Sequence, residues 1–125
     1  MSVFLDETRW LERNNLAVVV DQIGYEVSPG HCLIVPRREV RTVWGMTPVE
    51  WKACIALLHK ARNRIDAALQ PNGYNIGINC EEAAGQTVFH AHIHLIPRYK
   101  GDHPNPRGGV RAVIPNKADW TQEKR

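Results

Sequence analysis

The sequence predicts an α+β fold in which an antiparallel β-sheet packs against one long helix and one short helix. Several short apolar segments are separated by turn residues, and one long segment repeats its apolar residues with helical spacing. Most of the strands are joined by connections too short for parallel crossovers. A length of 125 residues suits a single domain, 1–125, and residues 103–125 are expected to form an irregular tail.

The segments before the long helix are expected to form one short helix and three strands. The short helix is expected at residues 8–13. Residues 16–20 form a β-branched apolar run typical of a buried strand, and residues 31–36 form another strand that ends at a proline. Glycine and proline punctuate the chain between these two strands, where a short strand is expected at residues 25–27.

The long helix has the clearest start signal in the sequence. Thr47 is a favourable N-cap, Pro48 suits the first helical position, and Glu50 completes a capping box. Turn residues at 71–73 end the helix. The residues of its predicted apolar stripe are Trp51, Cys54, Ile55, Leu58, Ala61, Ile65 and Leu69.

Two further strands are expected after the helix. Residues 74–80 alternate apolar side chains with small or polar ones, which is typical of a half-buried strand. A loop at 81–85 leads to the last strand at 86–97, and residues 110–114 are apolar enough to pair with another segment. Trp44 is expected in the core, with a wall on which a base stacks as the alternative.

Composition and charge limit the classes of function. The net charge of +3 is too small to favour binding of duplex nucleic acid, and no apolar run is long enough to cross a membrane. Residues 98–111 hold four bases and one acid, which predicts either a solvated surface or a basic rim for an anionic ligand. Three scattered cysteines and the absence of a secretory signal favour the cytoplasm.

The most informative pattern is three histidines at alternate positions of the last predicted strand. His90, His92 and His94 would share one face of it, about 6.6 Å apart from one to the next, while the residues between them pack on the helix. Imidazoles can act as nucleophile, acid or hydrogen-bond donor around a phosphate. Two or three of these imidazoles, together with His31 or His103, could instead bind zinc. The spacing alone therefore does not separate metal binding from phosphoryl chemistry.

Two separate motifs resemble the histidine-triad (HIT) family of nucleotide hydrolases and transferases. One is the segment 85–98, which contains the three histidines, and the other is Ser28-Pro29-Gly30 with His31 and the strand that follows. The segment 75–79 fits as well, and the resemblance extends over roughly residues 16–102. It implies a half-barrel sheet for the fold.

The resemblance implies a role for each site residue. His92 would be the nucleophile that attacks the α-phosphorus, and His94 would contact the phosphate and assist the leaving group. His90 would orient His92, partly through its backbone carbonyl, and would bind phosphate, while His31 would hydrogen-bond within the cluster. The residues implied to bind substrate are Asn79 and Thr87 at the phosphate, Gln86 beside them, and Asp21 at the ribose, although Ile23 occupies the expected ribose position.

The resemblance also implies a substrate class and an assembly. The segment after the histidines looks more like dinucleoside polyphosphate hydrolases than adenosine phosphoramidases, which remain an alternative. A homodimer is implied, no cofactor is required, and the nucleotide is the small-molecule partner. Many relatives hold a structural zinc with an N-terminal cysteine pair, but this chain has Ser2-Val3-Phe4-Leu5 there, so no metal is expected. The histidine pattern is also compatible with a zinc hydrolase or with a non-catalytic nucleotide-binding protein.

Overall fold

A computed structural model describes residues 2–121 of the chain. Five strands form one sheet in the order β1-β2-β3-β5-β4, and all neighbouring pairs are antiparallel. One long helix packs against it, which confirms the predicted α+β class. The helix and strands are β1 (Trp10–Arg13), β2 (Ala17–Asp21), β3 (Cys32–Pro36), α1 (Pro48–Leu69), β4 (Gly73–Ile78) and β5 (Ile93–Arg98).

The helix begins where its capping sequence predicts. The Thr47 hydroxyl accepts from the Glu50 N–H at 3.2 Å, and the Glu50 carboxylate accepts from the Thr47 N–H at 2.9 Å. The same carboxylate is buried and binds both Nε and Nη2 of Arg38. Gln70 ends the helix in the left-handed conformation, at φ 50°. No helix among residues 2–121 is long and apolar enough to cross a membrane.

The sheet is covered on both faces, and the two covers differ. The helix packs on one face through four buried residues, Cys54, Leu57, Ala61 and Ile65. The opposite face carries Val20 and Leu33 under the side chain of Phe4, which comes from a 3₁₀ turn at Val3–Leu5. Because β2 is covered on both sides, its sequence is a continuous apolar run rather than an alternating one.

Three predictions about local structure before the long helix are wrong. Residues 8–13 do not form a helix: a 3₁₀ turn at Glu7–Arg9 leads directly into β1, whose backbone pairs with β2. Residues 25–27 form turns and bends instead of a strand, since β2 and β3 already pair with each other. Trp44 is 81% exposed and therefore lies outside the core.

Candidate active site

His94 is the second residue of β5, but the other two histidines lie before this strand begins. The pairing of β5 with β3 and β4 starts at Ile93, so the predicted strand at 86–97 is too long. The backbone before Ile93 turns aside, and the Ala91 N–H donates to the Val40 carbonyl at 2.7 Å. The three histidines therefore do not form one row on one strand.

His90 points into the protein instead of towards a substrate. Its side chain is 2% exposed, and its Nε2–H donates to the Pro36 carbonyl at 2.6 Å. No described group binds its Nδ1. The prediction that His90 shares a substrate-facing row with His92 and His94 is therefore wrong, because a backbone carbonyl holds its ring in the interior.

His92 is fixed in a single tautomer by its neighbour's backbone. Its Nδ1–H donates to the His90 carbonyl at 2.8 Å, and the edge of the Phe4 ring packs against its imidazole. Because a carbonyl can only accept, the proton of the neutral ring is on Nδ1 and the lone pair is on Nε2. Burial lowers the pKa of His92 below 6.5, which keeps the ring neutral near pH 7.

His94 is oriented by a chain of two hydrogen bonds. The backbone N–H of Val27 donates to Nδ1 of His31 at 3.0 Å, so the neutral His31 ring carries its proton on Nε2. This Nε2–H then donates to Nδ1 of His94 at 2.9 Å, which places the His94 proton on Nε2. The pKa of His94 is lowered to about 4. Burial is the main cause, and the neighbouring imidazoles of His92 and His31 lower it further.

His92 and His94 line a cavity of about 600 Å³ on the sheet face opposite the helix. Their ring centroids are 5.2 Å apart. The other lining residues are Val3, Phe4, Arg9, Gln22, Tyr25, Leu33, Asn79, Gly85, Thr87 and Val88. The lining thus combines an apolar wall with amide and hydroxyl groups and one guanidinium, a mixture that suits a nucleotide.

The predicted substrate-binding residues divide into two groups. Asn79 and Thr87 line the cavity with the two histidines, as their proposed phosphate contacts require. Asp21 lines a neighbouring hollow instead, because it pairs with Cys32 and so belongs to the helix-facing set of strand positions. Gln22 is the residue of this segment that reaches the cavity.

Gln86 is a structural brace for the loop beside the cavity. Its side-chain oxygen accepts from the Glu81 N–H at 2.7 Å, and its Nε2 donates to the carbonyls of Arg41 and Val88. The side chain is buried and does not line the cavity. Gln86 therefore shapes the loop that presents Thr87, and the structure gives no support to the predicted contact with substrate.

Sequence reasoning missed Arg9, Gln22 and Tyr25. Strand parity would have found Gln22, since it shares its side of the chain with Val20, which belongs to the cavity-facing cluster. Arg9 reaches the cavity from the turn before β1, where its Nη2 donates to the Asp21 carbonyl at 2.7 Å. No sequence pattern indicates this contact, because it depends on the pairing of β1 with β2.

The arrangement offers an unprotonated nucleophile beside a fixed donor. His92 presents the Nε2 lone pair, His94 presents an Nε2–H, and Arg9 is the one permanent cation among the described lining residues, which include no carboxylate. Among residues 2–121 no cluster of three His, Cys, Asp or Glu is placed to hold a metal ion. The groups present can attack and stabilise a phosphoryl centre.

Comparison with known proteins gives consistent matches. AP-4-A phosphorylase of Mycobacterium tuberculosis is 35% identical over 79 residues, covering 62% of this chain and 40% of the relative. Asymmetrical bis(5′-nucleosyl)-tetraphosphatase of Schizosaccharomyces pombe is 38% identical over 76 residues, covering 61% and 42%. Bis(5′-adenosyl)-triphosphatase of Dictyostelium discoideum is 35% identical over 102 residues, covering 77% and 68%. The chain thus spans about two fifths of the length of the first two relatives.

The fold and the family agree with these relatives. The crystal structure of a HIT family protein from Bacillus anthracis matches with a TM-score of 0.70 at 33% identity, covering 74% of this chain and 65% of that one. The HIT domain family itself matches residues 8–101, a stretch that includes all five strands and the helix. The chain therefore belongs to the HIT domain family.

Proposed function

We propose that this protein hydrolyses adenosine-type dinucleoside polyphosphates, or related AMP conjugates, at the α-phosphate through a nucleotidyl-His92 intermediate. The observation that carries the proposal is the hydrogen bond from Nδ1 of His92 to the His90 carbonyl, which leaves the Nε2 lone pair at the cavity. The names of three relatives, a phosphorylase, a tetraphosphatase and a triphosphatase of such compounds, support the same substrate class.

The proposed reaction has two steps at phosphorus. The lone pair on Nε2 of His92 attacks the α-phosphorus, and the bond to the bridging oxygen breaks, so that its electron pair leaves with the polyphosphate. The ring becomes cationic and keeps its Nδ1 proton, which the His90 carbonyl stabilises. Water then breaks the P–N bond, which releases AMP and returns the neutral imidazole, while the proton from water passes to solvent.

The state of His94 favours an anionic leaving group over an amine. Its pKa of about 4 makes it a neutral donor near pH 7, and it can hydrogen-bond a phosphate oxygen through Nε2. An amine leaving group needs a full proton, whereas a polyphosphate leaves as a stable anion. His31 cannot resupply that proton readily, because its Nδ1 faces a backbone N–H. A neutral His94 therefore favours a polyphosphate hydrolase over a phosphoramidase.

Release of AMP from diadenosine tetraphosphate is the direct test. We expect His92→Ala to lower kcat/KM by at least about a thousandfold, because it removes the nucleophile. His59→Ala provides a matched control, since His59 is an exposed histidine on α1. Full activity of His92→Ala would refute the mechanism.

Metal removal separates the proposal from a zinc hydrolase. We expect EDTA to leave the rate of AMP release unchanged, because imidazole and guanidinium groups carry the proposed chemistry. Loss of activity on chelation, restored by stoichiometric zinc, would favour the metalloenzyme. Tight AMP binding without turnover would favour a non-catalytic nucleotide-binding protein.

We further propose that the protein forms a homodimer through the free edge of β4. This strand ends the sheet, and its Ile76 and Ile78 are 49% and 39% exposed. On the helix packed beside it, Ile55 is 47% exposed, and Leu58 lines a hollow together with Ile76, so apolar helix residues lie beside the edge strand. We expect light scattering at micromolar concentration to give the mass of a dimer, and Ile76→Lys to give a monomer.

We further propose a cytoplasmic location, because three cysteines far apart in the sequence argue against a disulfide framework. Cys32 and Cys54 are buried free cysteines, and Cys80 is a free cysteine that is partly exposed. Free thiols persist in reducing compartments. Fractionation of cells that express the tagged protein tests this placement.

A further inference from the structure

A second hollow lies beside the active site on the same face of the sheet. His94, Ile96 and Arg98 occupy alternate positions of β5 and so share one face, each about 6.6 Å from the next. Ile96 and Arg98 form part of a hollow of about 480 Å³, closed on its far side by residues 103–113 of the C-terminal segment. We call this hollow the tail groove.

Gly77 leaves the passage between the tail groove and His94 open. It pairs directly with His94 across the β4–β5 ladder, so a side chain at position 77 would stand on the same face as the His94 imidazole. A Cβ built on Gly77 meets no atom within 4 Å. A substrate held at His94 can therefore extend past Gly77 into the groove.

The C-terminal segment is folded into a defined wall. Gly108 adopts φ +88°, and a Cβ there would collide with the Ala118 carbonyl, so only glycine permits this close approach. Arg111 donates to the carbonyls of Lys117 and Ala118, which closes the segment on itself. Arg111, one of the basic residues expected to form a rim, thus holds the wall in place.

The chemistry of the groove suits an uncharged ring. Val110 and Val113 are 59% and 77% exposed and, with Ile96, give it apolar walls. The Arg98 guanidinium is neutralised by Asp102, at 2.8 Å, and also donates to the Asn75 side chain at 2.7 Å. Apolar walls with a few polar groups are typical of sites for aromatic ligands.

We propose that the tail groove binds the nucleoside of the leaving group, so that a dinucleoside polyphosphate lies across His94 with one nucleoside in each hollow. This inference rests on the proposed hydrolase function and adds a second nucleoside site to it. The first nucleoside occupies the cavity under Phe4, and the polyphosphate passes Gly77.

Two substrates that differ by a single nucleoside test the proposal. Diadenosine tetraphosphate yields AMP and ATP, and adenosine 5′-tetraphosphate yields AMP and triphosphate through the same bond cleavage. The measured quantity is the ratio of their kcat/KM values. We expect Val113→Asp, which puts a charge on the apolar wall, and Gly77→Val, which narrows the passage, each to lower this ratio about tenfold or more.

Val49→Asp is the matched control, since Val49 is 60% exposed on the helix that packs on the opposite face. It should leave the ratio unchanged. An unchanged ratio in Val113→Asp and Gly77→Val would overturn the second site while leaving the hydrolase intact. If the Val113→Asp variant were a monomer while the unmodified protein is a dimer, the second site would also be overturned, since the groove would then be a contact between two copies of the chain. If the unmodified protein released AMP from neither substrate, both the proposed function and this second site would be overturned.

Discussion

Replacement of His31 tests whether the tautomer of His94 matters for catalysis. His31 is 4% exposed and connects the Val27 N–H to Nδ1 of His94. His31→Leu removes the donor to His94, so that the imidazole can take the other tautomer, with its lone pair towards the cavity. The resulting enzyme would lack the Nε2–H that contacts the phosphate.

The expected loss of activity follows from the one hydrogen bond to His94 that His31→Leu removes. Loss of one partner from a buried polar group costs about 1–3 kcal/mol. If that cost falls on the transition state, kcat/KM for diadenosine tetraphosphate decreases by roughly 5- to 150-fold, at about 1.36 kcal/mol per factor of ten. His31→Gln restores part of the loss, because an amide can accept from the Val27 N–H and donate to His94.

The assay is steady-state release of AMP by both variants, with thermal unfolding as the control for folding. A value for His31→Leu within about twofold of the unmodified protein, at equal stability, would refute the argument. Equal activity of His31→Gln and His31→Leu would also refute it, since only the glutamine can accept from the Val27 N–H and donate to His94.

Four further predictions concern pH and stability. The pKa values of His92 and His94 are lowered, so the acidic midpoint of kcat/KM should lie below pH 6.5; a midpoint at or above 6.5 contradicts this. In the same window the unfolded chain binds more protons, so stability to urea should fall as pH falls from 6.5 towards 4, and His94→Asn should reduce the dependence. Phe4→Ala should cost about 3 kcal/mol of unfolding free energy and raise KM, as its ring is buried against His92; an unchanged urea midpoint would be the contrary result. Glu50→Gln should cost about 2 kcal/mol at pH 7 by weakening the bond to Arg38, and because the pKa of Glu50 is about 2, the difference should be present above pH 4.5 and disappear towards pH 2.

The sequence predicted the parts of the fold that depend on local signals. The start of the helix is fixed by three residues that lie close together in the chain, Thr47, Pro48 and Glu50. The capping box is present as expected. The strand at 31–36 was also predicted closely, because the proline at its end cannot donate to a continuing ladder. Such features depend on neighbours in the chain.

The errors occur where distant contacts override the local pattern. Trp10 belongs to a strand rather than a helix because β2 offers an edge for pairing, and its indole N–H donates to the Phe4 carbonyl. His90 leaves the expected row because the Pro36 carbonyl, 54 residues away in the chain, binds its ring. Alternation identifies residues that share a face only while the strand continues, and here the strand begins at Ile93.

The sequence indicated several residues that line the candidate site, but it did not indicate the other residues that complete the cavity. Asn79, Thr87, His92 and His94 line one cavity, because strands β4 and β5 and the loop between them converge there. Arg9 enters the same cavity from the opposite edge of the sheet, a placement that only the order of the strands decides.

The three hydrogen bonds of Gln86 have a consequence for what this position tolerates. A carboxylate there would lose both donated bonds, a lysine would lose the accepted one, and a shorter amide would not reach all three carbonyl and amide groups. The requirement for a donor and an acceptor at one side-chain length therefore comes from loop geometry alone. A polar residue next to a reactive centre can be as restricted in identity as a ligand-binding group without contacting the ligand.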